Sequence, residues 1–408
     1  MNISIITLSF PPEPGSSRRV GELSGFLAQQ GHDVSVITGF PSYPHGIVFE
    51  GYRKSLVHKS RWQEAVDVYR MYLYTSPNRQ QFVHRVLHYT SFMASAALGG
   101  LLTAAPDVVY VVSPPYTLGV TGWLISRLRG ARLAFDVQDF WPEAPIALGY
   151  VKNPAAIRML LAIERFIYAR SDVIFAVSSV MKQKIVARGV PESKVQPVIN
   201  WVDLGAYAPV SGDSLRKRLG LEEKFVFLFA GNMGPAQGLD IVTSAADLLR
   251  DRHDMAFVLL GDGMDRDRLQ QQSRDLALDN VIFLDPVSES EVPSYLGMAN
   301  VLVVSLARAK HREAAIPSKL QVYMSSGKPV LAAVDGATAE LAASAGCGLV
   351  VPPEDPVKFA EAVLELRDLG SESLSRLGST GQAFAEAHFD RDTQCALIEQ
   401  HLADVVGS

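Results

Sequence analysis

The 408-residue chain carries 38 Lys and Arg against 43 Asp and Glu, a net charge of −5, and 48% of its residues are hydrophobic. This balance supports a large buried core in two domains, and it excludes wholesale disorder, a collagen and a nucleic-acid binder driven by a charged tail. The two cysteines, Cys347 and Cys395, lie far apart without a metal-binding spacing, which excludes a disulfide scaffold and favours reducing cytosol.

The two halves of the chain differ in charge. Residues 1–200 carry a net charge of +7, whereas the remainder carries −12. A basic half suits anionic lipid, an anionic substrate or nucleic acid as its partner. The first residues read as a strand and lack a basic stretch before an apolar one, so export is not expected.

Short β-branched runs alternate with helical stretches along the chain, which predicts parallel sheets with crossover helices. The predicted strands of the first half are 3–9, 33–38, 108–113, 132–136, 173–178 and 196–199. Those of the second half are 225–231, 256–261, 281–284, 301–305, 330–333 and 348–351. The predicted fold class is therefore α/β, with two Rossmann-like, doubly wound domains over residues 1–206 and 207–390 and a last helix over 391–406.

Ligands of such sheets bind at the carboxyl ends of the strands, and two facing sheets would form a cleft between the domains. After the first strand comes PPEPGSSRRVGEL, which places Gly15, Ser16, Arg18 and Arg19 near the start of a helix. Amides at a helix N-terminus together with two arginines suit an anion. A plain solvated loop is the alternative.

The segment Gly51–Thr90 interleaves cations with aromatic residues. The cations are Arg53, Lys54, Lys59, Arg61, Arg70, Arg79 and Arg85. This composition favours an anionic membrane surface. Ordinary exposed structure is the alternative, and an RNA-binding strip lacks any supporting motif. The following run, Val86–Pro106, has no charged residue, but its polar residues favour a buried or surface-lying helix over a membrane span.

The loop DVQDFWPEAP follows the fourth predicted strand. Asp139, Trp141 and Glu143 lie there among bulky and rigid neighbours, as expected of a loop that positions functional groups. The alternative is that Asp139 caps a helix and Trp141 belongs to the core.

The loop GNMGPAQGLD follows the first strand of the second half. Its glycines at 231, 234 and 238 let backbone approach a ligand closely, and the amides before the next helix can receive phosphate. A purely structural strand-to-helix turn is the alternative.

The most informative loop follows the strand 301–305. Its cations are Arg308, Lys310, His311 when protonated, and Arg312. They precede a helix opened by Pro317 and Ser318, with Lys319 in its first turn. Lysine at that position opposes the helix dipole, so an anionic ligand is the natural compensation, although a solvated charge run is the alternative.

A series of short motifs runs in order through nearly the whole chain. They are FPPEPG, GHDVSVIT, PSYPHG, DVVYVVSPP, DVQDFWPEA, SDVIFAVS, VINWVD, GNMGPAQGLD, LLGDG, PSKLQVYMSSGKPVLA and GLVVPPEDP. With this series the chain resembles glycosyltransferase family 4, which has the GT-B fold. It most resembles bacterial enzymes of O-antigen, capsule and colanic-acid assembly, including members similar to N-acetyl-L-fucosamine transferase.

The resemblance implies a retaining, metal-independent transfer from a nucleotide sugar on the C-terminal domain to an acceptor on the N-terminal one. It also implies that the last helix packs back on the first domain. The donor-binding residues it implies are Gly231, Asn232, Gly234, Gln237, Gly238, Gly261, Arg308, Pro317, Ser318 and Lys319. The implied acceptor-binding residues are Gly15, Ser16, Arg18, Arg19, Trp141 and Glu143. Asp139, Glu313 and Lys319 are the expected catalytic residues, and no metal site or cofactor is expected.

The chain departs from the family pattern at five positions. The two glutamates of a Glu-x7-Glu motif, the second of which usually holds the donor ribose, fall on Ala314 and Val322. The usual arginine and lysine of the first loop in the C-terminal domain are Asn232 and Gln237, and the second glycine of the N-terminal turn is Ser16. Phosphate charge then has to be met by backbone amides, Lys319 and the 308–312 cluster.

The expected function is transfer of a sugar, with an acetamido sugar favoured, from a UDP-sugar to a polyprenyl-diphosphate-linked or other glycan acceptor. The protein is expected in the cytoplasm, peripheral on the inner face of the membrane, without a nucleic-acid partner. Two alternatives are a nucleotide-sugar epimerase on the same fold and a catalytically weakened GT-B scaffold subunit.

Overall fold

The computed structural model describes residues 1–78, 81–139, 141–147, 149–309, 313–314 and 316–407. The chain divides into two compact units, one of Met1–Asn200 with Asp392–Ser408 and one of Trp201–Arg391. The sequence places the boundary near Ala206. In the structure the amide of Val202 donates to the carbonyl of Phe389, 3.2 Å away, so Val202 already belongs to the second unit.

The first unit is built on an eight-stranded sheet. Its strands are β1 (Asn2–Ile6), β2 (Asp33–Gly39), β3 (Val57–Trp62), β4 (Val66–Met71), β5 (Val108–Val112), β6 (Arg132–Val137), β7 (Val173–Ala176) and β8 (Val195–Pro197). They lie in the order β3-β4-β2-β1-β5-β6-β7-β8, and every pair is parallel except β3 with β4.

Helices cover this sheet. They are α1 (Ser17–Gln29), α2 (Phe82–Leu102), α3 (Leu118–Arg129), α4 (Glu143–Ala147), α5 (Pro154–Arg170) and α6 (Ser179–Val186). All five residues of the central strand β5 are buried, as expected of a parallel strand covered on both faces.

The second unit is built on a six-stranded parallel sheet in the order β11-β10-β9-β12-β13-β14. Its strands are β9 (Phe225–Ala230), β10 (Met255–Leu260), β11 (Val281–Leu284), β12 (Val301–Ser305), β13 (Val330–Ala333) and β14 (Gly348–Val351). Its helices are α7 (Asp213–Leu219), α8 (Asp240–Leu248), α9 (Arg266–Asp275), α10 (Val292–Met298), α11 (Ser318–Ser325), α12 (Gly336–Ala345), α13 (Pro356–Asp368) and α14 (Ser371–His388).

The last helix, α15 (Arg391–Gly407), packs on the first unit from its second residue onward. His32 and Glu399 join it to the loop before β2, with 2.8 Å between Nε2 and Oε1. The ring of His401 lies 6.2 Å from that of Phe175 on β7.

All twelve predicted strands are present, whereas β3 and β4 were not predicted. These two strands pair antiparallel within the segment Gly51–Thr90. The β4 residue Arg70 lies in the middle of a buried run and is itself only 4% exposed. A charged residue inside a buried strand breaks the apolar pattern by which strands are found in sequence.

Helix α2 packs closely on its neighbours through small residues. A Cβ on Gly100 would lie 2.4 Å from Cδ1 of Ile125 on α3, and one on Gly99 would lie 3.0 Å from Ile37. Within the described ranges, no helix has both the length and the hydropathy that a bilayer crossing requires.

Candidate active site

The backbone segments that follow β9 and β10 lie very close to each other in the second unit. Gly231 follows β9 with φ +135°, and Gly261 follows β10 with φ +132°, both in the region that favours glycine. A Cβ on Gly261 would lie 2.2 Å from the carbonyl oxygen of Gly231. Gly261 is buried, whereas Gly231 and Asn232 are exposed. The buried glycine therefore lets the exposed loop cross close to the sheet, where its backbone is open to a ligand.

Lys319 lies against this exposed loop. It stands in the first turn of α11, and its side chain passes Gly231 so closely that a Cβ there would lie 2.5 Å from Cε. Its ammonium donates to Oε1 of Gln237 at 3.2 Å and lies 5.1 Å from the ring centroid of Phe229. Burial lowers the pKa of Lys319. No carboxylate among the described residues pairs with it, so its charge is available to an anion.

The rest of the glycine loop is held by its own contacts. Gly234 is buried, and Gly238, with φ +58°, ends a short 3-10 turn, Pro235–Gln237. Gln237, at the position where the resemblance implies a lysine, accepts from Lys319. An amide oxygen that accepts from Lys319 therefore occupies the position at which a second cation was expected.

The loop after β12 is described only in part, because Lys310, His311 and Arg312 lie outside the described residues. Arg308 is exposed, and its side chain donates to the carbonyl of Pro353 at 3.5 Å. The backbone carbonyl of Glu313 accepts from the amide of Ala337 at 2.6 Å, which anchors it to the start of α12. Pro317 is the N-cap of α11, and it offers no side-chain capping hydrogen bond to the first-turn amides.

The turn between β1 and α1 in the first unit is held by a buried glutamate. Oε1 of Glu13 accepts from the amides of Ser42 and Tyr43 at 2.7 and 2.8 Å. This joins the loop after β1 to the loop after β2. Gly15, with φ +83°, and Ser16 are exposed at the tip of the turn.

The two predicted anion-binding arginines of α1 have internal acidic partners. Arg18 pairs with Glu22 at 2.8 Å on the surface. Arg19 is largely buried, and its Nη1 lies 2.6 Å from Oδ2 of Asp136 on β6. Burial opposes the charge of Arg19, but Asp136 and the Tyr110 hydroxyl outweigh that cost and raise the pKa of the guanidinium.

Asp136 is the centre of a buried network beneath Asp139. Its carboxylate accepts from the Tyr110 hydroxyl at 2.6 Å and from the Gln138 amide nitrogen at 2.5 Å. Gln138 in turn accepts from the amide nitrogen of Asn200 at 2.9 Å. Two side-chain hydrogen bonds, one to Asp136 and one from Asn200, thus fix Gln138, the residue that precedes Asp139.

Asp139 itself is exposed at the end of this network. Partial desolvation by the surrounding protein raises the pKa of its carboxyl group. Among the described residues no group donates a hydrogen bond to this carboxylate, which leaves it open to a substrate hydroxyl.

Trp141 and Glu143 are held by neighbours in the first unit. The ring of Trp141 stacks on that of Tyr116 with 6.4 Å between centroids. Arg188 forms ion pairs with both Glu143 and Glu164. Burial raises the pKa of Glu164 to about 7, although Arg188 acts in the opposite direction.

The seven cations predicted to form a basic strip do not share one environment. Arg53, Lys54, Lys59 and Arg61 are exposed. The inclusion of Arg70 was wrong, because its guanidinium is buried and donates to the carbonyls of Gly39 and Pro11 at 3.3 and 2.5 Å. Arg85 lies 5.6 Å from the ring centroid of Tyr150, and Arg79 lies outside the described residues.

Comparisons with known proteins identify the family. A glycosyl transferase 4-like domain matches residues 14–201, and the glycosyl transferases group 1 model matches residues 212–384. WcaI of Escherichia coli K12, named for colanic acid biosynthesis, is 31% identical over 80% of this chain and 82% of its own length. The chain belongs to glycosyltransferase family 4. WbjE of Pseudomonas aeruginosa, a glycosyltransferase by name, is 27% identical over 69% of this chain and 71% of its own length.

Solved structures show that this glycosyltransferase has the predicted GT-B fold. HepE of Anabaena in complex with UDP matches 99% of this chain and 100% of its own, with a TM-score of 0.73 and 17% identity. WaaG, a glycosyltransferase involved in lipopolysaccharide biosynthesis, covers all of both chains with a TM-score of 0.67 and 16% identity.

The sequence did not reveal several residues that hold the loops of the glycosyltransferase in place. Glu13, Asp136, Glu164 and Arg188 were not singled out, although each is a charged residue with a buried or half-buried partner. For Asp136 a signal existed, because a carboxylate that directly follows the apolar run Leu133–Phe135 of a predicted strand needs a partner. No three His, Cys, Asp or Glu side chains in the described part of the chain are grouped so as to hold a metal ion.

Proposed function

We propose that this glycosyltransferase moves a sugar from a UDP-sugar to a polyprenyl-diphosphate-linked or other glycan acceptor in the assembly of a cell-surface polysaccharide, with retention of anomeric configuration. The relatives WcaI, named for colanic acid biosynthesis, and WbjE support the process. HepE, solved with UDP and with UDP-glucose, supports a uridine nucleotide. An acetamido sugar is the proposed cargo on sequence resemblance.

One observation carries the proposed donor site: Lys319 is half-buried beside the exposed Gly231 backbone and lacks a described carboxylate partner. A diphosphate placed there would meet the ammonium, the amides of the glycine loop and the uncapped first turn of α11. Cleavage of the anomeric bond increases the negative charge of the departing diphosphate. Fixed donors therefore favour the transition state over the ground state.

We propose that turnover needs no metal ion, because Lys319 and the amides supply the positive charge at the diphosphate. The acceptor hydroxyl attacks from the face that the diphosphate leaves, and a departing phosphate oxygen takes its proton. Asp139 orients that hydroxyl or the donor ring, and Glu313 contacts the sugar. Activity should then persist in EDTA, and a loss that Mg²⁺ or Mn²⁺ restores would contradict this part of the proposal.

The missing Glu-x7-Glu pair favours one alternative, a catalytically weakened scaffold. Ala314 is 1% exposed and Val322 is half-buried, and neither apolar side chain offers a hydrogen-bond acceptor to a ribose. We expect nucleotide affinity to rest on the diphosphate contacts instead.

The deciding experiment incubates the purified protein with a panel of UDP-sugars and a membrane lipid extract. UDP release with formation of a lipid-linked product is the expected result. Epimer formation without an acceptor would support the epimerase, and UDP binding without turnover would support the scaffold. GDP-sugars in the same panel test the choice of nucleotide.

We also propose peripheral binding to anionic membranes through the first unit. One face of α2 is exposed along its whole length and carries no charge, at positions Val83, Val86, Leu87, Thr90, Ala94, Leu98, Leu101 and Leu102. Exposed apolar surface of this extent is typical of an interaction site. Lys59 and Arg61 pair with Asp67. Arg53 and Lys54, which have no acidic partner among the described residues, would add about 1 kcal/mol each where they reach anionic headgroups.

Flotation with phosphatidylglycerol liposomes tests this surface. The protein should float at low salt and float less in molar salt, since screening weakens the charge term. Leu87→Gln with Leu98→Gln should reduce flotation, whereas Lys358→Gln, an exposed position in the second unit, should not. A protein that stays in the bottom fraction at low salt has no such interface.

A further inference from the structure

The last residue of β9 is held by a side chain where a neighbouring strand would otherwise bond to it. β9 pairs with β10 as far as Ala230, whereas its pairing with β12 covers Phe227 and Leu228. The next amide, that of Gly231, donates to Leu260 of β10 at 2.9 Å. Because successive residues of a strand bond to opposite sides, Ala230 presents its amide and carbonyl toward β12.

Tyr323 of α11 bonds to both of these groups. Its hydroxyl accepts from the Ala230 amide at 2.8 Å and donates to the Ala230 carbonyl at 3.1 Å. Tyr323 is 1% exposed, and burial raises its pKa well above that of a free tyrosine. The hydroxyl therefore keeps its proton at physiological pH and can act as donor and acceptor at once.

The same helix carries Lys319, one turn before Tyr323. Residues four apart lie on one face of a helix, so both side chains reach the end of β9. Tyr323 fixes Ala230, and Lys319 lies against Gly231, the next residue. One short helix thus sets both the position of the lysine and the position of the loop beside it.

We infer that Tyr323 is a positioning residue for the donor diphosphate: its hydroxyl holds the Gly231 backbone at a fixed distance from the Lys319 ammonium. This role rests on the proposed donor site. Tyr323→Phe keeps the ring packing but leaves the amide and carbonyl of Ala230 without this partner, so the loop can move relative to Lys319.

The test is calorimetric titration with UDP and GDP, continued with whichever nucleotide the wild-type protein binds more tightly. Tyr323→Phe should raise that Kd about tenfold, the effect of losing one or two hydrogen bonds. Donor KM should rise with it, while acceptor KM stays constant. Ser325→Ala is the matched control, because it removes a buried hydrogen bond of the same helix, to Gln321, that does not touch β9.

A double-mutant cycle separates positioning from general stability. If Tyr323 acts by placing the loop against Lys319, Tyr323→Phe should change the nucleotide Kd much less in the Lys319→Ala background. Additive effects, or an unchanged Kd in a folded Tyr323→Phe variant, would overturn the inference. A wild-type protein that binds neither nucleotide would instead overturn the proposed donor site, on which the role depends.

A measurement on the wild-type protein does not depend on the folding of any variant. By NMR, the Ala230 amide should exchange with solvent at least ten times more slowly than the exposed Asn232 amide. Equal exchange rates would show that the Tyr323 hydroxyl does not hold this strand end, and the inference would fail.

Discussion

The carboxyl edges of the two sheets use charge in opposite ways. In the first unit, Arg18, Arg19 and Glu143 all have partners of opposite charge within the unit. In the second unit, Lys319 is half-buried with an amide oxygen and an aromatic ring as its neighbours. A cationic loop in the sequence can therefore either stabilise the fold through internal ion pairs or bind an anionic ligand.

The two cations differ in whether an internal carboxylate compensates the free-energy cost of their burial. A buried pair such as Arg19 and Asp136 is costly to break, because one charge remains buried without compensation. Lys319 bears part of that cost already, since burial lowers its pKa without an acidic partner. An anionic donor would remove this cost on binding, which supports the proposed donor site in the second unit.

The largest expected effect comes from breaking the ion pair of Arg19 with Asp136. Arg19→Met should lower the free energy of unfolding by about 3–5 kcal/mol, because it leaves Asp136 buried without its cation. UDP affinity should not change. The neighbouring Arg18→Met is the control, because its surface pair with Glu22 is expected to contribute less than about 1 kcal/mol. Urea titrations check both, and equal losses would contradict the distinction between the two arginines.

Lys319→Ala tests the proposed contact of Lys319 with the donor diphosphate. Loss of a charge-assisted contact worth about 1.5–3 kcal/mol should lower kcat/KM by about 10- to 150-fold. The control is Lys328→Ala, because Lys328 is also a half-buried lysine with a pKa lowered by burial, yet it lies before β13 and donates to Gly297 at 2.8 Å. Steady-state rates with varied donor check this, and wild-type activity in Lys319→Ala would remove the lysine from the mechanism.

The same contrast explains which parts of the molecule could be predicted from sequence. Apolar runs and the segments that follow them are local patterns, so all strands except β3 and β4, and the segments with Gly231, Asp139 and Lys319, can be predicted in this way. The partner of Arg19 is 117 residues away along the chain, and Tyr323 bonds to a residue 93 positions earlier. Such pairs depend on strand order, which a local pattern does not contain.

The Glu164 cluster is expected to make the first unit less stable at higher pH. Burial raises the pKa of Glu164 to about 7, above its ordinary value, so the folded state binds the extra proton between about pH 4.5 and 7. Stability should fall by about 1–3 kcal/mol as pH rises through this window.

Glu164→Gln removes the titrating group, so the variant should lose that pH dependence and gain stability relative to wild type at pH 8. Urea unfolding at a series of pH values is the measurement. Glu192→Gln, at a surface pair with Lys182, is the control and should keep the wild-type profile. Parallel profiles for wild type and Glu164→Gln would show that the buried carboxyl does not titrate in this range.

Asp139→Asn has the smallest expected effect, and it distinguishes most clearly between a structural role and a role in substrate binding. Its neighbour Gln138 is fixed by Asp136 and Asn200, whereas the Asp139 carboxylate is exposed and has no described hydrogen-bond donor.

If the Asp139 carboxylate orients the acceptor hydroxyl or the donor ring, Asp139→Asn should lower turnover by about tenfold or more, which corresponds to at least about 1.4 kcal/mol. The melting temperature and the UDP Kd should stay nearly unchanged, because no described residue donates a hydrogen bond to this carboxylate and the proposed UDP site lies in the second unit. A structural role predicts the reverse, a melting temperature lower by several degrees with activity per folded molecule preserved. Measuring both quantities on one purified variant decides between them.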